Sequence, residues 1–145
     1  MLLLDDPALG LDVAVRREFI ESILPLLEEQ KSTVLFSSHI FSDVERIADS
    51  IAIVHEGRVL LHERLDDLKE RARQIVVSGA EPPVLAGTLR RVTRGRETRI
   101  TALDPDPRQI DALRKTGGSV DVNPIPLEDF FLDLVAESKK SEAAA

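Results

Sequence analysis

The chain has 145 residues, with 26 acidic and 19 basic side chains for a net charge of −7, no Cys, Trp or Tyr, five Phe and three His. The absence of thiols excludes disulfide frameworks, Cys zinc sites, iron–sulfur clusters and thiol nucleophiles. An acidic chain this poor in aromatic rings is not expected to bind nucleic acid, which needs a positive surface and stacking platforms. No apolar run approaches the roughly 20 residues of a membrane span, and MLLLDD lacks the cationic flank of a signal peptide, so a soluble intracellular chain is expected.

Leu2-Leu3-Leu4 is a continuous apolar run stopped by Asp5-Asp6-Pro7, which predicts a strand buried on both faces. Val15, Phe19, Ile20, Ile23, Leu24 and Leu27 recur at helical spacing, predicting a helix over 13–30 with Asp12 as its N-cap. Pro25 should kink or divide that helix. Thr33–Ser37 predicts a second buried strand, Val44, Ile47 and Ala48 a short helix face, and Ile51–Val54 a third strand. The turn His55-Glu56-Gly57-Arg58 sends Val59-Leu60-Leu61 back as a hairpin, and Leu65–Ala72 reads as a charged helix. Alternating strands and helices are the grammar of a parallel sheet with crossover helices.

The pattern changes near Arg73. Residues 1–72 hold 15 acids and 8 bases, whereas residues 73–145 hold 11 of each. A domain boundary is placed there. Beyond it come a strand at Gln74–Ser78, a helical turn at Pro83–Ala86 and a hairpin pairing Thr88–Thr93 with Thr98–Leu103. A helix at Pro107–Thr116, a strand at Ser119–Val122 and an apolar helix at Leu127–Ala136 follow. That order predicts a small ferredoxin-like α+β unit over 73–137. Residues 138–145 read as a disordered tail.

Paired carboxylates at the C-terminal end of an apolar strand sit where ligands bind in open α/β sheets. One carboxylate there holds Mg²⁺, usually through water, and a second orients or deprotonates an attacking water. Ordinary turn chemistry is the blander account of Asp-Asp-Pro. The wider string Met1-Leu2-Leu3-Leu4-Asp5-Asp6-Pro7-Ala8-Leu9-Gly10-Leu11-Asp12 resembles the Walker B motif and D-loop of ABC transporter ATPases, which read four apolar residues, Asp-Glu-Pro, two variable residues and Gly-Leu-Asp. Val34-Leu35-Phe36-Ser37-Ser38-His39, with the helix and hairpin after it, resembles the switch histidine region (H-loop) of the same family. Pro126-Leu127-Glu128-Asp129-Phe130-Phe131-Leu132 resembles, more loosely, the end of the small C-terminal domain of drug- and polysaccharide-exporting members; by pattern alone the two Phe are core packing.

The resemblance implies an α/β fold: part of a P-loop NTPase parallel sheet over 1–72, then the ferredoxin-like domain. It implies Asp5 on the Mg²⁺ side, Asp6 in the place of the catalytic Glu, Asp12 as the D-loop Asp and His39 at the γ-phosphate, donating a hydrogen bond without a full charge. It implies ATP and Mg²⁺ as cofactors and a second ATPase subunit and a transmembrane permease as partners. The location implied is the inner face of the cell membrane, and the activity ATP-driven export.

Two departures qualify this. No G-x-x-x-x-G-K-[ST] P-loop and no Leu-Ser-Gly-Gly signature occurs in the 145 residues, and the P-loop supplies most of the phosphate affinity. The chain therefore resembles only the C-terminal part of an ATPase subunit. It is not expected to hydrolyse ATP alone, and its first domain is expected to lean on a partner, such as the N-terminal half of its own domain. Asp6 is also one methylene shorter than Glu.

Two rivals stand beside this reading. One is a non-catalytic ferredoxin-like regulatory or binding module. The other is a receiver-type signalling domain, which needs a phospho-accepting Asp where the third strand here ends in His55. Arg90, Arg91, Arg94, Arg96 and Arg99 crowd the second hairpin, either as a solvated surface or as a contact for an anionic partner.

Overall fold

The computed structural model describes residues 1–28 and 33–143. They fall into two units, Met1–Ala48 and Asp49–Ala145, each with its own packing. Among the described residues no helix is long and apolar enough to cross a membrane.

In the first unit, β1 (Leu2–Leu4) and β2 (Val34–Phe36) pair in parallel, with Leu3 opposite Leu35 and Leu4 opposite Phe36. Between them α1 (Val13–Glu28) makes the crossover, and α2 (Phe41–Ile47) follows β2 and packs on α1. Asp12 caps α1 as expected: its Oδ1 accepts from the backbone N–H groups of Ala14 and Val15, each at 2.9 Å. The predicted end of this helix at Glu29 and Gln30 lies outside the described residues.

Pro25 does not divide α1. Pro25 lacks the N–H that would bond Glu21 four residues back, but both positions face solvent and water can satisfy the freed carbonyl. Ala8, Ile20 and Ile23 are buried. The two strands are not covered on both faces as their composition suggests. Leu3 is 61% exposed and Leu35 65%, because these register partners project together from a sheet of only two strands.

In the second unit, β3 (Ser50–His55) and β4 (Arg58–Arg64) form an antiparallel hairpin. Its two-residue turn has Glu56 at φ +49° and Gly57 at +76°, the left-handed pair whose twist suits such a hairpin. The third strand of the sequence reading is thus real, and among the described residues it pairs with β4. Its burial alternates, with Ile51 and Ile53 buried and Ala52 and Val54 exposed, which is the signature of a one-sided antiparallel strand.

The helix α3 (Leu65–Arg71) leads into β5 (Ala72–Ser78). Then β6 (Thr88–Arg94) and β7 (Glu97–Leu103) form the second hairpin, followed by α4 (Pro107–Arg114), β8 (Ser119–Pro124) and α5 (Leu127–Ala143). The sheet order is β6-β7-β5-β8, with β7 and β8 both antiparallel to β5. This is the ferredoxin-like arrangement the element order predicts.

Its core sets Ile75, Val77, Ile100 and Ala102 against Ile110 and Leu113 of α4, with Leu85 closing the layer. Phe130 is 1% exposed and Phe131 is partly buried, which fits the packing role read for them.

Two corrections concern this unit. Pro83–Ala86 is not a helical turn but irregular chain. A residue before proline avoids the helical region, and Pro82-Pro83 imposes this on Glu81 and Pro82 in succession. Gly87 ends that segment at φ +70°, where a Cβ would fall 1.8 Å from the Leu103 carbonyl oxygen. The other correction is at the C-terminus. Here α5 runs on through Ala143, so residues 138–143, read as tail, are helical. Lys140 pairs with Glu137 one turn back at 3.8 Å. Ala144 and Ala145 lie outside the described residues.

Candidate functional site

The parallel register of β1 and β2 decides the site. Leu4 opposite Phe36 brings the residues just beyond the two strands, Asp5-Asp6 and Ser37-Ser38-His39, side by side at the carboxyl edge. The Ser37 N–H closes the last ladder bond to the Leu4 carbonyl at 2.9 Å.

Three short hydrogen bonds link the two strand ends. Ser37 Oγ donates to Asp5 Oδ1 at 2.6 Å and accepts from the Asp6 backbone N–H at 2.8 Å. His39 Nδ1 lies 2.7 Å from Asp6 Oδ2. Ser37 was legible in the sequence only as part of a motif string. Its role comes from register, since the residue after β2 must fall beside the residue after β1.

Asp6 has φ +43°, in the left-handed region where Asp is among the better-tolerated residues. That turn starts a run of tight contacts. The Leu9 N–H bonds the Asp6 carbonyl at 3.0 Å, and the Leu11 N–H bonds the Ala8 carbonyl at 3.2 Å. Gly10 sits at φ +78°, so the loop reaches the Asp12 cap by two left-handed residues. Asp12 is exposed, and its side chain serves α1; no contact joins it to Asp5, Asp6 or His39 among the described residues.

The electrostatics follow from donor counting. An ionised carboxylate only accepts, so the His39–Asp6 bond requires the proton on Nδ1. A neutral His39 then presents a lone pair at Nε2, not a donor. Donation from Nε2 to an anion, as the sequence reading has it for the uncharged ring, requires the imidazolium in this arrangement. The ring is 60% exposed and open to solvent. Asp6 Oδ1 is buried and has no hydrogen-bond partner among the described residues. This oxygen is unpaired but closed to solvent, while Oδ2 is taken by His39.

The donor set suits Mg²⁺ rather than a closed metal cage. Among the described residues no group of three or more His, Asp or Glu could hold a metal ion. Mg²⁺ commonly takes only one or two protein carboxylates and completes its shell with water and phosphate oxygens. Asp5, fixed by Ser37, is a carboxylate of that kind. His55 and His62 lie in the β3–β4 hairpin, in the other unit.

Comparison with known proteins gives the chain's relatives. No protein-family model matches the chain. The bacitracin transport ATP-binding protein BcrA of Bacillus licheniformis is 39% identical over 74 residues, covering 51% of this chain and 24% of that protein. The ABC transporter ATP-binding protein NatA of Bacillus subtilis is 41% identical over 73 residues, 50% of this chain and 29% of that protein. The Nod factor export ATP-binding protein I of Rhizobium leguminosarum bv. viciae is 31% identical over 142 residues, 92% of this chain and 45% of that protein. The chain thus spans less than half the length of the curated relatives it matches. Its homologues are ABC transporter ATP-binding proteins, and it matches the C-terminal part of such a subunit.

Proposed function

We propose that this chain supplies the hydrolytic edge of an ABC transporter ATP-binding subunit that drives export through a membrane permease. The observation that carries the reading is the gathering of Asp5, Asp6, Ser37 and His39 at the carboxyl ends of two parallel strands. In it Asp5 holds Mg²⁺ through water, and the ion, when bound, offsets charge on the phosphates. Asp6 accepts a proton from the attacking water. His39, anchored by Asp6, faces the terminal phosphate from Nε2. Asp12, on the exposed loop before α1, faces a second ATPase subunit. The working location is the cytoplasmic face of the membrane beside the permease, with ATP and Mg²⁺ as cofactors.

No phosphate cradle lies within these 145 residues, so turnover needs a P-loop and a signature helix from elsewhere. A chimera tests this: the N-terminal portion of a relative such as BcrA is joined ahead of Met1, and Mg-dependent phosphate release is followed. Asp5→Asn and His39→Ala should each abolish turnover while the chimera still binds ATP. A folded, ATP-binding chimera whose turnover is indifferent to both substitutions would sink the reading. The chain by itself should show no turnover.

A further inference from the structure

Strand alternation gives the four-stranded sheet two unlike faces. One carries Ile75, Val77, Ile100 and Ala102 and packs under α4. The other carries the Arg90, Val92 and Arg94 series of β6 and the Arg99 and Thr101 positions of β7, and α5 lies against it. Between α5 and this face is a groove of about 330 Å³.

The charges in the groove are not equally available. Asp133 of α5 accepts from Thr101 Oγ1 at 2.5 Å and from Arg90 Nη1 at 3.1 Å, so this acid and Arg90 answer each other. Arg94 has no ion pair among the described residues. Arg99 holds only Glu97, at 3.3 Å, in a pair about half exposed on both sides. Such a surface pair is weak and readily exchanged. Two guanidinium groups therefore stand ready in one groove.

The groove also has an apolar side. Leu132 is 53% exposed and lies off the stripe by which α5 buries Leu127 and Phe130. It lines the groove with Val92. The volume falls at the lower end of the range for small-molecule sites, about 300 to 1,000 Å³. Asp129 lies three residues before Leu132 on the same flank of α5, and its negative charge at the rim disfavours polyanions.

We propose that this groove binds a small amphiphilic anion: a carboxylate or phosphate monoester on a short apolar body. Arg94 and Arg99 take the anionic head, and Val92 and Leu132 the body. The guanidinium fork matches either head group. This site lies in the second unit and does not depend on the nucleotide reading.

The test is titration of the isotope-labelled chain with hexanoate and with hexyl phosphate, followed by amide shifts, with hexylammonium as the control. Saturable shifts at Arg94, Arg99 and Leu132 with Kd on the order of 1 mM are expected for one or both anions. The Arg94→Gln/Arg99→Gln double variant should raise that Kd about tenfold or more, with the Ile75 and Ile100 amides unmoved as proof of fold. If the double variant does not fold, Arg94→Gln alone carries the test. The better of the two anions identifies the head group. Absence of saturation, equal shifts with hexylammonium, or indifference to the Arg substitutions overturns the proposal. So does response only to phosphatidylglycerol vesicles, which would make the Arg cluster a lipid contact.

Discussion

His39 Nδ1 stands 2.7 Å from Asp6 Oδ2, and this contact joins the ends of two strands paired in parallel over three residue pairs. It fixes the ring's orientation and its tautomer together. The carboxylate has no proton to give, so the neutral ring keeps its hydrogen on Nδ1. Neutral histidine free in water favours Nε2–H. Long-range ¹H–¹⁵N correlation spectra at alkaline pH should therefore show His39 as the Nδ1–H form, and Asp6→Ala should return it to the Nε2–H form. His55 and His62 serve as internal references. A His39 already in the Nε2–H form in the unsubstituted chain would mean that the bond to Asp6 is not made in solution.

The two units should differ sharply in local stability. Strand β5 is flanked on both sides and carries Ile75 and Val77, neither of them exposed at all. Among the described residues strand β1 has one partner, and its Leu3 is mostly exposed. Two-stranded pairing is marginal in water without a covered face, and amide exchange reports such local opening. The amides of residues 2–4 and 34–36 should exchange at least about 100-fold faster than those of Ile75 and Ile100. Equal protection would show that the first unit is self-sufficient.

Much of this was legible in the sequence, and the exceptions have physical causes. The β-hairpins announced themselves by the His55–Arg58 turn between apolar runs and by alternation around Arg94-Gly95-Arg96, and the ferredoxin-like order followed from the element sequence. Apolar composition could not show that Leu3 and Leu35 lie uncovered, because burial of a strand depends on neighbours and not on its own residues. The composition change at Arg73 falls downstream of the division after Ala48. Charge balance is blind to packing, and the β3–β4 hairpin packs with α3 and α5 in the second unit. Asp5, Asp6 and His39 were legible through their motif strings, and the structure brings these three together. Ser37 was not singled out, since a hydroxyl bridging two strands is visible only once their register is known. Asp12 is placed apart from the others, as a helix cap.

In the second unit, Arg71 clamps the loop after β7. Its guanidinium donates to Asp104 from Nε and Nη2, at 2.9 and 2.7 Å to Oδ2, and from Nη1 to Glu63 at 2.6 Å. Hydrogen bonding from Arg71, with its charge as the lesser cause, holds the Asp104 carboxyl below the ordinary carboxylate range. A carboxyl depressed in the folded state contributes stability that is complete above its unfolded pKa, about 3.9, and is lost as pH falls through the folded value. Asp104→Asn should therefore lower Tm at neutral pH. That difference should shrink as pH drops below about 4 and disappear in stronger acid. Asn tolerates the left-handed φ of +50° at this position, so the change isolates charge from backbone. Because Asp104 is 58% exposed, added salt should also narrow the gap. A Tm difference that persists unchanged through pH 2 would assign the effect to shape instead.

The shorter carboxylate at position 6 sets the last expectation. Asp6 ends one methylene, about 1.5 Å, short of where Glu would reach, and a displacement of that order costs on the order of 100-fold when the group must meet a reacting atom. Asp6 is also engaged at both ends, its side-chain Oδ2 on His39 and its backbone N–H donating to Ser37 Oγ. Lengthening it therefore tests two roles at once. In the chimera that restores the P-loop, Asp6→Glu should raise turnover while leaving ATP affinity near its starting value, since the change touches the water and not the phosphate cradle. His39→Ala in the same Asp6→Glu background should still abolish turnover, because the longer carboxylate needs the ring beside it. A rate that stays flat on Asp6→Glu, in a protein whose ATP binding is intact, would show that Asp6 already reaches its water or that the proton is taken by another group.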